Sequence, residues 1–173
     1  MYEHRLIERM VALLELEMEG IRGTGDVHPG FVGSGVDFFR TYADRTHHGK
    51  EEDILFRDLE NLDMPPGLWE TMEELRAEHV YGRRVVGDLM ASRGRFLEGD
   101  DDALEEMVGH LGTLVEFYPA HIEKEDNRFF FPCMDLFSNE EQAAMLAKFW
   151  EFDRRMIHRK YTEMVVSFEE DKG

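Results

Sequence analysis

Apolar side chains recur at three- and four-residue steps along most of this chain, and no stretch alternates with the two-residue period of a strand. That spacing places the apolar residues on one stripe of an α-helix. The first predicted helix runs from about Tyr2 to Glu19 on Ile7, Val11, Leu14 and Met18. Gly20 to Gly35, with Gly23, Gly25, Gly30, Gly33 and Pro29 between them, reads as a loop. A second helix spans about Val36 to Leu62, with Phe39, Ala43, Ile54 and Leu55 on one side, and Pro65-Pro66 ends it. The third covers roughly Gly67 to Arg95 on Met72, Leu75, Val86 and Leu89. The fourth covers about Asp102 to Arg128 on Met107, Leu111, Leu114 and Phe117, closed by Pro132. A fifth begins at Ser138, where Glu141 three residues on makes a capping-box pattern, and continues through Met145, Phe149, Phe152, Met156 and Val165 to about Phe168.

Short connections between long amphipathic helices imply antiparallel neighbours. The expected fold is all-α: an up-down-up-down four-helix bundle over about 1–132, with an additional C-terminal helix over about 138–168 across its outside or one end. A chain of 173 residues suits one domain, 1–173, with a single substantial core. At 42% hydrophobic and 34% charged, the composition is that of an ordinary globular protein and not of a disordered one. No apolar run approaches the ~20 residues of a membrane span. The N-terminal residues start charged and enter helical periodicity at once, without the pattern of a secretory signal. A lone cysteine, Cys133, fits a reducing cytoplasm, which is the expected location, and a buried thiol is the expected state. The net charge of −18 repels phosphate backbones and anionic lipids, so neither nucleic acid nor membrane is an expected partner.

Four histidines fall on the apolar faces, one per bundle helix. His4 precedes Ile7 by three residues, and His47, His79 and His121 follow Ala43, Leu75 and Phe117 by four. A single such histidine is most simply a hydrogen-bonded core residue; one on each helix points to a shared site. Glu51 and Glu125 lie four residues after His47 and His121, hence on the same inward faces. A buried unpaired carboxylate costs several kcal/mol, about 2–7 even for a neutral polar group, and a divalent cation removes that cost. Glutamate can also bridge two cations, and helix bundles build di-iron sites from inward Glu and His. Imidazole with carboxylate suits iron, manganese or zinc. Counted from the helix ends at ~1.5 Å per residue, the levels of these residues agree to about two turns. His4 lies only a few residues into its helix, so helix one must begin deeper than its neighbours.

Glu3-His4-Arg5, His47-His48-Gly49-Lys50-Glu51-Glu52, Glu78-His79 and His121-Ile122-Glu123-Lys124-Glu125-Asp126, ending in Phe131-Pro132, together resemble the hemerythrin-like, or HHE, cation-binding domain over about Met1 to Pro132. The resemblance implies a non-heme centre of two iron ions, oxo- or hydroxo-bridged, with zinc or manganese as alternatives. Its ligands would fall on His4, His47, Glu51, His79, His121 and Glu125. Oxygen-carrying hemerythrins have a second histidine one turn before the third-helix ligand. That position here is Leu75, so the carrier set is incomplete. They also use an aspartate five residues after the last histidine, here Asp126; the hemerythrin-like branch uses the glutamate at four, Glu125.

His48, ~100° around the helix from His47, either fills the missing place or sits half-exposed at the bundle seam. Glu52 and Glu78 either orient ring N–H groups or are solvated, with the solvated state favoured for Glu78. His110 is too far along its helix to share the site, His28 lies in the glycine-rich stretch, Tyr118 is most simply packing, and His158 approaches the metals only if the fifth helix caps their end. The function implied is an iron protein that binds or senses oxygen, nitric oxide or peroxide, or handles iron. The alternatives are an enzyme acting on peroxide or nitrosative damage through the same centre, and a structural metal or interaction module.

Overall fold

The computed structural model describes the backbone of residues 2–170 and the side chains of residues 2–156. The described residues form helices and no strand: α1 (Tyr2–Thr24), α2 (Pro29–Phe38), α3 (Arg57–Leu59), α4 (Pro66–Leu97), α5 (Ala103–Lys124), α6 (Phe131–Met134) and α7 (Asn139–Glu170). Three π-helical segments, π1 (Phe39–His48), π2 (Glu51–Phe56) and π3 (Glu125–Phe130), join these into longer runs. One run carries α2, π1, π2 and α3; another carries α5, π3 and α6. With α1 and α4 they make the four-helix bundle, and α7 is the additional C-terminal helix.

Two sequence expectations about helix ends fail. Helix one continues past Glu19 to Thr24, where Gly25 at φ 75° accepts the left-handed conformation that ends it and donates its N–H to Ile21 O at 2.8 Å. The rest of the glycine-rich stretch is largely helical, not a loop. Pro29 sits in the first turn of α2, where its missing N–H costs nothing. Val32 and Val36 are buried, and a Cβ on Gly35 would come within 3.1 Å of Leu14. Helix propensity disfavours glycine by about 1 kcal/mol per residue. Burial of α2 against α4 and α1 outweighs it.

Nor does Pro132 close helix four, which runs on to Met134. The preceding turn is already π-helical, and Pro132 falls in the first turn of α6. A proline there sacrifices no bond that the turn needs. The wider π turn matters equally in the second helix. Gly49 N–H reaches back five residues to Asp44 O, and the consecutive His47 and His48 are both buried.

The core divides in two. One cluster holds Ile7, Val11, Leu14, Phe39, Ala43, Val86, Leu111 and Ile122. The other holds Ile54, Phe56, Leu59, Leu68, Met72, Leu75, Phe129, Cys133 and Met145. Along the second, third and fourth bundle helices the histidines and glutamates fall where one cluster gives way to the other. No described residue of α1 belongs to the second cluster; Met145 of α7 does. This accounts for the shallow place of His4 in its helix: the layer beyond it is built by the other three bundle helices and α7.

The predicted capping box starts α7. Ser138 N–H donates to Glu141 Oε2 at 2.8 Å, and Glu141 N–H donates to Ser138 Oγ at 3.3 Å. The helix is then fastened by Lys148 to Asp58 at 2.6 Å, by Lys50 to Asp153 at 2.8 Å, and by Phe152 over Gly49. No helix among the described residues is long and apolar enough to cross a membrane.

Candidate metal centre

Four helical runs deliver seven buried polar side chains to one level of the bundle: His4 from α1, His47, His48 and Glu51 from π1 and π2, His79 from α4, and His121 and Glu125 from the junction of α5 and π3. They fall into two groups, His4, His47, Glu51 and Glu125 in one and His48, His79 and His121 in the other. Within each group one nitrogen or oxygen per residue lies within 4.8 Å of all the others.

The two glutamates span the groups. Glu125 Oε2 lies 3.2 Å from His4 Nε2 and 3.8 Å from His47 Nε2, while its Oε1 lies 3.1 Å from His121 Nε2 and 3.5 Å from His79 Nε2. Glu51 divides in the same way, with Oε1 3.6 Å from His47 Nε2 and Oε2 3.3 Å from His79 Nε2.

Each of four histidines donates Nδ1–H to a carboxylate: His4 to Asp126 at 2.9 Å, His47 to Glu3 at 2.9 Å, His79 to Glu52 at 2.7 Å and His121 to Glu78 at 2.8 Å. In the neutral ring, with its single proton on Nδ1, each Nε2 presents a lone pair inward. His4 Nε2 and His47 Nε2 then face each other at 2.9 Å. Both oxygens of Glu51, both of Glu125, both nitrogens of His48 and the Nε2 of His79 and His121 are buried without a hydrogen-bond partner. Converging lone pairs and carboxylate oxygens repel one another in a dry interior, and a cation is what satisfies them. The donor set is nitrogen and oxygen with no thiolate, which fits iron, manganese or zinc.

The same field shows in the ionisation of the residues. Burial pushes His47 down, but the charges of Glu51, Glu125 and Glu3 overcome it and raise it to about 10. His79 and His121 are likewise raised against burial by their carboxylates. Glu125 is held well below the carboxylate range despite burial, because imidazoles surround it. His48 is lowered by burial and by the neighbouring His79, His47 and His121. The interior of the bundle is therefore a place that draws positive charge to itself.

The outer carboxylates follow a cyclic rule. Glu3 of helix one serves His47 of helix two, Glu52 of helix two serves His79 of helix three, Glu78 of helix three serves His121 of helix four, and Asp126 of helix four serves His4 of helix one. Each is backed by a cation: Lys50 on Glu3, Arg83 on Glu52 at 2.7 Å, Lys124 on Glu78 at 2.5 Å and Arg5 on Asp126 at 2.9 Å. Sequence reasoning missed Glu3 and Asp126 in this role, weighing Asp126 only as an alternative ligand, and favoured a solvated Glu78. The available signal was that all four stand directly beside an inward histidine or glutamate. Asp126 points to His4 and Arg5, outside both groups.

His48 is not at an exposed seam. It is 1% exposed, its ring stacks on His79 at 3.9 Å and meets His121 edge-on at 5.4 Å. Asp44 stands 3.6 Å from its Nδ1, beyond hydrogen-bond distance. Leu75 is wholly buried in the second core cluster. Tyr118 packs on Phe39 at 4.6 Å, and His28 bonds Glu17 at the surface. His110 lies outside both groups. His158 falls outside the residues whose side chains are described.

The sequence model of the hemerythrin HHE cation-binding domain matches residues 1–133. No curated protein and no solved structure matches the chain.

Proposed function

We propose that this chain, which belongs to the hemerythrin HHE cation-binding domain family, holds two iron ions between its two groups of histidines and uses them to bind or sense a small ligand such as oxygen, nitric oxide or peroxide, or to handle iron. The observation that carries this reading is the division of Glu51 and Glu125, each with one oxygen toward either group. On this reading the two glutamates bridge. His4 and His47 would hold one ion, and His48, His79 and His121 would hold the other. Iron held by histidine and carboxylate would supply a Lewis-acidic, redox-active centre.

The chain's own residues do the rest. Glu3, Glu52, Glu78 and Asp126 keep the ring protons on Nδ1 and hold the imidazoles in place. Ile7, Ala43, Phe56, Leu75, Ile122 and Phe129 lie in the apolar layers on either side. His48 supplies the nitrogen that Leu75 lacks. A cavity of about 310 Å³ between π1 and α4, lined by Asp44, Arg83 and Tyr118, has His48 in its wall. Since α7 shares a core with the bundle through Met145, we read residues 1–173 as one domain.

Metal analysis of protein purified without added metal tests the reading. Two irons per chain and near-ultraviolet absorption of the oxidised centre are expected. One ion per chain would overturn the bridging glutamates, and zinc without absorption would favour a structural module instead.

A further inference from the structure

We propose that the protein binds a small, uncharged, apolar organic molecule, about the size of a singly substituted benzene, in the cavity that α7 closes against the bundle beside His47 and Glu51. The cavity has a volume of about 210 Å³. A cavity of about 150 Å³ lined by aliphatic and aromatic side chains accepts benzene, so this one admits a ring with a short substituent and excludes most metabolites of drug size.

The walls define the chemistry of the occupant. Leu55, Phe130, Met145 and Phe149 present hydrocarbon and thioether, and Cys133 presents a thiol that burial pushes up to about 12, so it stays neutral. The polar groups that line the cavity are either paired or buried away from it. Lys50 is bound by Glu3 and Asp153. Glu3 also accepts from His47. The amide of Gln142 donates to Met134 O at 3.0 Å and Phe137 O at 3.1 Å. The Glu51 oxygens have no hydrogen-bond partner, but they are buried toward His47 and His79 and not presented to the cavity. A charged or strongly polar ligand would lose its water and find no partner. An apolar one restores the dispersion contacts that a gap in a packed core forfeits.

The site is built by the fold rather than left between irregular loops. Beyond His4 the bundle wall is supplied by α7, held by two ion pairs and by Phe152 over Gly49. Met134 and Leu146, 50% and 57% exposed, stand where the cavity meets solvent. Its inner end touches His47 and Glu51. The placement of the ligand next to a metal rests on the reading of those two residues as ligands; the pocket and its chemistry do not.

The test titrates the full chain, metal-free and iron-loaded, with ethylbenzene and with benzoate by calorimetry, and counts metal separately on the same samples. Saturable one-site binding of ethylbenzene to both forms is expected, with benzoate more than tenfold weaker. Cys133→Phe, which fills the cavity, and Leu146→Trp, which covers its mouth, should each weaken ethylbenzene at least tenfold. Leu146 is half outside the core, so that variant keeps the test alive if Cys133→Phe does not fold. Absence of saturable binding up to the solubility of ethylbenzene overturns the proposal. So does equal binding of benzoate, or unchanged affinity in the folded variants. A metal count other than two would refute the two-ion reading without touching this result.

Discussion

Glu78 accepts the Nδ1–H of His121 from the neighbouring helix at 2.8 Å, although it stands directly beside His79 in the chain. The same handover runs around all four bundle helices, so each helix supplies an inward histidine and orients the histidine of the next. A carboxylate on Nδ1 fixes the tautomer and raises the basicity of the nitrogen that faces the metal.

Removing one of these carboxylates should weaken metal binding without disturbing the fold. Glu78→Ala and Glu52→Ala are expected to lower metal affinity about 10–100-fold, measured by competition with a chromogenic chelator. Circular dichroism should remain that of the parent. Parental affinity in both variants would mean that the ring orients nothing that matters.

The inward glutamates should behave differently from the outer ones. Glu51→Ala and Glu125→Ala are expected to reduce bound metal, on the two-ion reading to one per chain or fewer. The melting temperature of the metal-loaded protein should fall with it, because a metal that binds only the folded state stabilises that state. A variant that still carries two metals at full occupancy would remove that residue from the centre.

The docking of α7 can be probed at Gly49. A Cβ there would stand 2.8 Å from Cζ of Phe152, so Gly49→Ala must displace that ring. Alanine otherwise favours a helix over glycine by about 1 kcal/mol. Gly49→Ala is therefore expected to be neutral or destabilising in the parent and stabilising in a Phe152→Ala background. The coupling in a double-mutant cycle of urea melts should be about 1 kcal/mol; additive effects would show that the two residues do not meet.

Cys133 gives a pH signature. Burial raises its thiol to about 12, whereas a thiol in the unfolded chain ionises near 8.5. At pH 8 iodoacetamide should label the denatured chain rapidly and the folded chain slowly. The sign for stability follows from proton counts: above about pH 8.5 the unfolded state releases a proton that the folded state keeps. The contribution is thus complete below that pH and is lost as pH rises toward 12. Cys133→Ala should flatten the alkaline limb of the stability curve, and equal labelling of folded and unfolded chains would refute the buried neutral thiol.

Local periodicity alone determined much of this protein. Ile7, Val11 and Leu14, or His121 and Glu125, share a helix face because of a rise and a turn that any helix has. The all-α bundle, the inward direction of His4, His47, His79 and His121, and the capping box at Ser138 are all legible at that level.

What the spacing did not contain was set by neighbours distant in the chain. Pro29–Phe38 is helical because Val32, Gly35 and Val36 are buried against α4 and α1, and the helix passes Pro132 because the turn before it has widened. His48 turns inward onto His79 for a similar reason, in a π segment that no local propensity signals. Which carboxylate serves which histidine depends on the cyclic order of the helices. The cavity beside His47 exists only where α7 lies against the second core. Such relations depend on which surfaces meet, and burial at those meetings outweighs the propensities of the residues involved.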